Sequence, residues 1–130
     1  KAAEIVKPDV VIVIDYLAAR DIDRVSTTIQ LTDTGIQPGS GMGNHRAGIN
    51  EENIGVPVLA IGVPTVIDIK TILRDALEEN LDSAEAVEKY LSDYDRQMIV
   101  TSTDIDILVK DFSDIIADGI NKTLHPGIYS

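Results

Sequence analysis

The sequence predicts an α/β domain in which a mostly parallel sheet is flanked by helices. Two apolar runs, residues 10–14 (VVIVI) and 58–61 (VLAI), lack the alternation of a half-buried strand and are typical of strands buried on both faces. Helix-prone segments separate and follow these runs, as in a layered α/β fold. The chain has 130 residues, the size of one ordinary domain, so we expect a single domain over residues 1–130.

The charge balance limits the classes of partner. The chain has 22 acidic and 11 basic residues and a net charge of -11, whereas nucleic-acid surfaces need clustered Lys and Arg. It contains no cysteine, so it has no disulfide, and its apolar runs fall short of the roughly 18 to 20 residues of a membrane span. No signal peptide is recognisable. We therefore expect no direct nucleic-acid partner, no membrane partner and an intracellular location.

The first apolar run leads to the first candidate site residue. A helix-prone segment, residues 1–7 (KAAEIVK), stops at Pro8 because proline disfavours helical geometry in the residue before it. The apolar run that follows ends at Asp15. Open α/β sheets bind ligands beyond the carboxyl ends of their strands, so Asp15 is a candidate catalytic residue. Alternatively, Asp15 only starts a turn or caps the next helix, and the pattern alone leaves both interpretations open.

The middle of the chain combines two further strands with a long loop. Residues 25–33 (VSTTIQLTD) are rich in β-branched residues and predict a strand. Residues 34–53 hold five of the nine glycines without periodicity and predict a Gly-rich loop, which at this length is usually functional or mobile. The run 58–61 predicts a buried strand with residues 62–64 as its exit turn. Asp68 is then placed to cap the following helix.

Two helices are predicted for the last part of the chain. Residues 78–96 are acidic and helix-prone with a weak apolar stripe, which is typical of a solvated amphipathic helix. Residues 102–124 predict a C-terminal helix with Ser102 or Thr103 as its N-cap. Its apolar residues follow the i, i+3, i+4, i+7 rule and form a face that should cover the sheet. That face consists of Ile105, Leu108, Val109, Phe112, Ile115, Ile116 and Ile120.

The Gly-rich loop carries the other candidate binding residues. These are Gly39, Gly41, Gly43, Asn44 and His45. The glycines fall at every second position and no Lys-Ser/Thr pair follows, so the loop matches neither G-x-G-x-x-G nor a P-loop, and nucleotide binding is disfavoured. A loop of this kind can instead clamp an extended peptide through its backbone amides. His45 is a candidate general base, and Asp15 and His45 are candidate metal ligands, although a lone loop histidine is more often solvated.

Three stretches of the chain together carry a family resemblance. They are residues 8–46 (PDVVIVIDYLAARDIDRVSTTIQLTDTGIQPGSGMGNHR), 55–68 (GVPVLAIGVPTVID) and 98–125 (MIVTSTDIDILVKDFSDIIADGINKTLH). With these motifs in this order, the chain resembles the germination proteases of spore-forming bacteria, endopeptidases that degrade small acid-soluble spore proteins. The acidic stretch around residues 78–96 lies outside the resemblance and is shorter than the family's usual insertion.

The resemblance implies an aspartic-type peptidase with two catalytic aspartates, on an α/β fold similar to the hydrogenase-maturation peptidases. One of these aspartates ends the VIVID strand and corresponds to Asp15. Its partner belongs to an upstream Gly-rich turn followed by Thr-Pro-Asp, a motif that is absent from this sequence. Gln37 stands where the family commonly has histidine, so the role of that histidine is lost or passes to His45. Two neighbouring carboxyls can act as an acid and a base because each shifts the pKa of the other. Asp15 supplies one carboxyl of such a pair.

These implications define what we expect of the parent protein. We expect the chain to be the C-terminal part of a longer peptidase, inactive alone, with small acid-soluble spore proteins as substrates. The family further implies a location in the cytoplasm of the spore core, a zymogen whose propeptide lies upstream, and a homo-oligomer, a tetramer in the parent. No organic cofactor is expected. The alternatives are a metal-binding, peptidase-like protein using Asp15 and His45, and a non-catalytic peptide-binding module.

Overall fold

A computed structural model of the chain describes residues 1–39, 47–78, 84–93 and 96–129. Within them the chain forms an α/β fold with a four-stranded sheet. The strands are β1 (Val11–Ala19), β2 (Gln30–Thr32), β3 (Val58–Asp68) and β4 (Ile99–Thr101). The helices are α1 (Ala2–Val6), α2 (Glu51–Ile54), α3 (Ile69–Glu78), α4 (Ala84–Asp93), α5 (Ile105–Leu124) and α6 (Pro126–Tyr129), and a short 3-10 helix spans Ile22–Arg24.

The sheet is built around β3, and it is mixed. β1 runs parallel to β3 along one edge, from Val11 opposite Val58 to Ala19 opposite Ile67. On the other edge, β2 and then β4 pair with β3 antiparallel. The prediction of a mostly parallel sheet was therefore wrong, since only one of these three pairings is parallel. β2 and β4 have three residues each, and short antiparallel strands need no helical crossover to reach their partner.

β1 continues past the aspartate that was predicted to end it. Asp15 is the fifth of nine residues, because the segment after it (YLAA) is also apolar and stays paired with β3. The register shifts by one residue between Leu17 and Ala18, which pair with Pro64 and Val66 respectively. Asp15 is thus inside a strand rather than at its end, and it neither starts a turn nor caps a helix.

β3 likewise continues through the predicted exit turn at residues 62–64. The predicted strand 58–61 is only the first part of an 11-residue strand, and Pro64 is fully buried within it. Proline has no N–H to donate, so a sheet tolerates it at an edge or a bulge. Here Pro64 lies next to the register shift, and its carbonyl accepts a hydrogen bond from the backbone N–H of Ser26 at 2.6 Å.

α5 covers one face of the sheet only in part. Ile116 packs with Ile61 and Val63 to form a small buried core. Partly buried residues complete it: Ile12, Ile29, Phe112 and Ile120. Val109 and Ile115 of the predicted apolar face remain 45% and 57% exposed, and Ile14 of β1 is 55% exposed. A single helix therefore leaves apolar surface on both of its flanks, and β1 is not buried on both faces as its run of apolar residues predicted.

The remaining elements match their predictions to different degrees. The cap at Asp68 is confirmed, because its Oδ1 accepts the backbone N–H of Lys70 at 2.7 Å. The strand predicted over 25–33 is reduced to β2, and the loop predicted over 34–53 includes the start of α2. α5 begins at Ile105 rather than 102, with Asp104 as N-cap. No helix among the described residues is long and apolar enough to span a membrane.

The lack of a side chain at Gly62 is required for β1 to lie against β3. A Cβ added there would lie 2.8 Å from Leu17 Cγ and closer still to Leu17 Cδ1. We expect Gly62→Val to lower the free energy of unfolding by about 1–3 kcal/mol in urea denaturation, because overpacking forces neighbouring side chains to move.

A double variant and a control test this explanation. Leu17→Ala should reduce the cost of Gly62→Val, since neighbours in contact do not have additive effects. Gly119→Ala is the control, because nothing lies within 4 Å of its added Cβ and alanine favours the helix by up to about 1 kcal/mol. Additive costs for Leu17→Ala and Gly62→Val would contradict the proposed clash.

Candidate functional site

Asp15 lies on β1 opposite Gly62 of β3, and Gly62 in turn pairs with Gln30 of β2. Paired residues of neighbouring strands project on the same face, so Asp15 and Gln30 flank a residue without a side chain. The next pair, Ile14 and Ile61, lies on the opposite face, which is the one that α5 covers. Asp15 is half-buried. The Leu17 side chain, which is on the same face of β1 as Asp15, fills the position over Gly62.

The Asp15 carboxylate is directed to the outer edge of β1. Val11 N–H donates to the Pro57 carbonyl at 2.9 Å, so odd-numbered residues of β1 turn their N–H groups toward β3 and even-numbered residues turn theirs outward. Tyr16 N–H is one of the outward groups, and it donates to Asp15 Oδ1 at 2.9 Å. Among the described residues no strand pairs with this edge. Oδ2 accepts no hydrogen bond from the described residues.

A cavity of about 240 Å³ between β1 and α5 borders Asp15. Its lining is mainly apolar, with hydroxyl groups from Thr65 and Ser113. The full lining consists of Ile14, Asp15, Tyr16, Val63, Thr65, Val109, Phe112, Ser113 and Ile116. Asp15 is the single carboxylate among these described residues. Asp15 thus borders a mainly apolar cavity at the edge of β1, while its side chain projects from the other face of the strand.

A second, larger cavity of about 840 Å³ lies beyond the end of β1. Gly39 and Gln37 line it, and Gly39 has the left-handed backbone (φ 73°) that favours glycine. Tyr16 lines this cavity and also the one beside Asp15, so the two are neighbours. The start of the Gly-rich loop therefore lines the cavity that neighbours that of Asp15, and does not line the Asp15 cavity itself. The other predicted loop residues, Gly41, Gly43, Asn44 and His45, lie outside the described residues.

The metal prediction rests on residues that the structure describes only in part. Within the described ranges, no three His, Asp or Glu side chains are grouped closely enough to hold an ion. Asp15 is described and His45 is not, so a metal bound by both stays a prediction.

Three arginines in the larger cavity were not predicted from the sequence. Arg20, Arg24 and Arg74 line it, from the end of β1, the 3-10 helix and α3 respectively. Arg74 Nε donates to Glu88 Oε1 at 2.7 Å, and this contact raises the pKa of the Arg74 guanidinium while lowering the pKa of the Glu88 carboxyl. The sequence offered one signal, an arginine directly after an apolar strand. It did not show that α3 would bring Arg74 to the same cavity.

Comparison with known proteins identifies the family. The model of the germination protease family matches residues 2–83, more than half of the chain. The chain belongs to the germination protease family. It is 44% identical over 146 residues to the germination protease of Caldanaerobacter subterraneus subsp. tengcongensis, and 42% identical over 148 residues to that of Clostridium perfringens strain SM101. The germination protease of Bacillus pumilus strain SAFR-032 is 35% identical over 175 residues.

These germination protease matches cover almost all of the chain but only part of each relative. They include 94% to 96% of this chain and 45% to 47% of the three relatives. The chain thus spans about half the length of the relatives it matches. The predicted family resemblance is confirmed, and the extent of the match places Asp15, Gly39 and the arginine-lined cavity within the compared region.

The hydrogen bond at Asp15 predicts that an amide can replace its carboxylate without loss of the fold. In Asp15→Asn, Oδ1 remains able to accept the Tyr16 N–H, and the side chain is only half-buried. We expect the free energy of unfolding of the 130-residue chain to change by less than about 0.5 kcal/mol in urea denaturation followed by circular dichroism. A loss of several kcal/mol would show that the charge of Asp15 is needed for folding.

Proposed function

We propose that the protein containing this chain is an aspartic-type endopeptidase that hydrolyses small acid-soluble spore proteins during spore germination, with Asp15 as one of two catalytic carboxylates. Membership of the germination protease family is the observation that carries the proposal. The position of Asp15 supports the assignment of the residue, since one carboxylate oxygen accepts a backbone N–H while the side chain stays half-buried beside a cavity.

The proposed chemistry is acid/base hydrolysis by a pair of carboxyls. One carboxylate accepts a proton from water as the water oxygen bonds to the peptide carbonyl carbon. The other carboxyl, protonated at the start, donates a proton to the amide nitrogen as the C–N bond breaks. Two neighbouring carboxyls hold these different states because the second charge is costly close to the first. Asp15 supplies one of the two groups in this scheme.

We propose that the second carboxylate comes from outside the described residues. The Asp15 side chain makes one hydrogen bond within those residues, to a backbone N–H, and shares its cavity with no other described acid. The outer edge of β1 is the side on which such a group can reach Asp15, since the carboxylate is directed there. We propose that another part of the parent polypeptide brings it to this edge, and that the 130-residue chain alone does not hydrolyse the substrate.

The wider setting is also proposed from the family resemblance. It comprises a fold similar to the hydrogenase-maturation peptidases, a zymogen stage, assembly as a homo-oligomer, and action in the cytoplasm of the spore core. The mixed sheet with its helices supports the α/β class of this fold. Apolar residues exposed on both flanks of α5 support burial against further polypeptide, because monomeric proteins rarely expose large apolar patches.

Replacement of Asp15 in the full-length protein tests the catalytic role. We expect Asp15→Asn to reduce cleavage of a small acid-soluble spore protein by at least about 100-fold, the usual contribution of a general acid or base. The measurement is the rate of substrate loss by gel or mass spectrometry, alongside the melting temperature. Asp9→Asn is the control, because Asp9 is an exposed aspartate just before β1. Cleavage that survives in Asp15→Asn would refute the assignment.

A peptide-binding module without hydrolysis is the second candidate function for the isolated chain. It is favoured by one observation, the single carboxylate of the Asp15 cavity, which on its own gives half of the acid/base pair. The two candidates differ in one experiment: supplying the rest of the parent polypeptide should produce turnover in the first case and only binding in the second.

A further inference from the structure

The outer edge of β4 is open to solvent. Strand β4 pairs with β3 on one side, and among the described residues no strand pairs with its other side. Ile99 and Val100 project on opposite faces of the sheet and are 43% and 41% exposed, so both faces of the strand are accessible. An open edge of this kind is a template for a further strand. β4 is therefore a candidate interaction surface.

The hydrogen bonds between β3 and β4 show which backbone groups of β4 face outward. Ile69 N–H donates to the Met98 carbonyl at 3.0 Å, and β4 continues antiparallel to β3 from there. Since this pattern alternates along an antiparallel strand, Met98 and Val100 turn their backbone groups toward β3, and Ile99 and Thr101 turn theirs outward. Within the described ranges, the backbone groups of Ile99 and Thr101 make no hydrogen bond. Each residue therefore offers one donor and one acceptor to a new strand.

The β4 edge lacks the features that usually oppose pairing. Edge strands of soluble proteins are commonly protected by charged side chains, proline or a bulge. Residues 97–103 (QMIVTST) contain no charged residue and no proline, although the chain as a whole has a net charge of -11. The outer edge of β1 differs, because the Asp15 carboxylate there accepts the Tyr16 N–H. β4 is thus the edge of the two that is suited to association.

The β4 edge is complementary to itself. When two β4 strands are placed antiparallel about a two-fold axis at Val100, Ile99 of each copy lies opposite Thr101 of the other. The outward N–H and C=O groups of these residues then form four backbone hydrogen bonds between the copies. Val100 lies opposite Val100 of the second copy, in the type of pair whose side chains come closest. No like charges are brought together by these contacts.

The charged residues at the two ends of the segment favour the same register. Arg96 of each copy lies at the level of Asp104 of the other, and both residues are exposed. Arg96 takes part in none of the ion pairs among the described residues. A shift by one residue would place outward backbone groups opposite inward ones. A shift by two would move Arg96 to the level of Ser102 or of a residue inside α5.

We propose that β4 pairs antiparallel with β4 of a second copy of this chain, about a two-fold axis at Val100. This inference rests on the homo-oligomer of the proposed function and names the surface through which two copies associate. The contact is isologous, so the same residues contribute from both copies. It joins the two sheets into one continuous sheet. Asp15 stays outside the contact, because β1 pairs with the opposite edge of β3.

Disulfide cross-linking tests the pairing and its register. The chain has no native cysteine, so a single introduced cysteine can cross-link only to its counterpart in another copy. Val100→Cys should give a covalent dimer on a non-reducing gel after mild oxidation, because directly opposite residues lie within the distance that a disulfide spans. Ile99→Cys is the control, since its counterpart is a diagonal neighbour about 7–8 Å away. Equal cross-linking of the two variants, or none in Val100→Cys, would overturn the proposed register.

A proline variant tests the contribution of the outward backbone groups. Ile99→Pro removes an outward N–H and leaves the hydrogen bonds between β3 and β4 in place, because proline is tolerated where its nitrogen faces away from the sheet. Sedimentation equilibrium over a concentration series should show a dimer for the unaltered chain. Ile99→Pro should weaken that dimer by at least about tenfold, since two hydrogen bonds are lost per pair. A monomer at all concentrations in the unaltered chain, or an unchanged dimer in Ile99→Pro, would overturn the proposal.

A charge exchange tests the pairing without altering the strand. Arg96→Glu should weaken the dimer, because it places two acids at each end of the segment. Arg96→Glu combined with Asp104→Lys should restore it, since the opposite charges meet again. Arg20→Glu makes the same charge change at the end of β1, on the other side of β3, and should leave the dimer unchanged. Equal weakening by Arg96→Glu and Arg20→Glu would mean repulsion by overall charge, and would overturn the assigned surface.

The outcomes separate this proposal from the proposed function. A dimer that forms without cross-linking through Val100→Cys would retain the homo-oligomer and overturn only the β4 surface. Asp15→Asn should not change the cross-linking of Val100→Cys, because Asp15 is not part of the contact. Failure of the catalytic assignment would therefore leave the β4 result unchanged.

Discussion

The pairing of β3 along both of its edges is the interaction on which the rest of the described structure depends. β1 pairs with one edge, while β2 and β4 share the other, and every strand pairing in the sheet includes β3. Its residues are accordingly among the most buried of those described, with Val58, Ala60 and Ile67 almost inaccessible to solvent. Asp15 is held opposite Gly62 of this strand, so the position of the candidate catalytic group is set by the best-packed element.

Local sequence patterns predicted the presence of helices and strands better than the residues at which they begin and end. The cap at Asp68 and the long C-terminal helix follow from short-range chemistry, and both are present. Strands β1 and β3 were predicted too short because Asp15 and Pro64 have the character of strand breakers. The structure accommodates Pro64 beside a shift in register and Asp15 at an edge where its carboxylate accepts a backbone N–H. Each exception depends on where the strand lies in the sheet, which no local pattern contains.

The residues of the candidate site likewise include some that the sequence predicts and some that it does not. Asp15 was predicted as a candidate from its place after an apolar run and from the family motifs, although the strand does not end there. The arginine-lined cavity was not predictable, because Arg20 and Arg74 are 54 residues apart in sequence and each on its own has the character of a solvated charge. Their proximity follows from the β1–β3 pairing and the turn from β3 into α3, which are long-range consequences of the fold.

The hydrogen bond from Tyr16 to Asp15 links the edge of the sheet to the proposed chemistry. A charged side chain on an edge strand opposes pairing with further strands, which is a common way to protect such an edge. Here the Asp15 carboxylate accepts the outward N–H of Tyr16, which a new strand would need as a hydrogen-bond donor. A polypeptide that pairs with this edge must therefore displace the carboxylate from the backbone. In the proposed function another part of the parent polypeptide reaches this edge, so the pairing of the edge and the hydrogen bonding of Asp15 are linked.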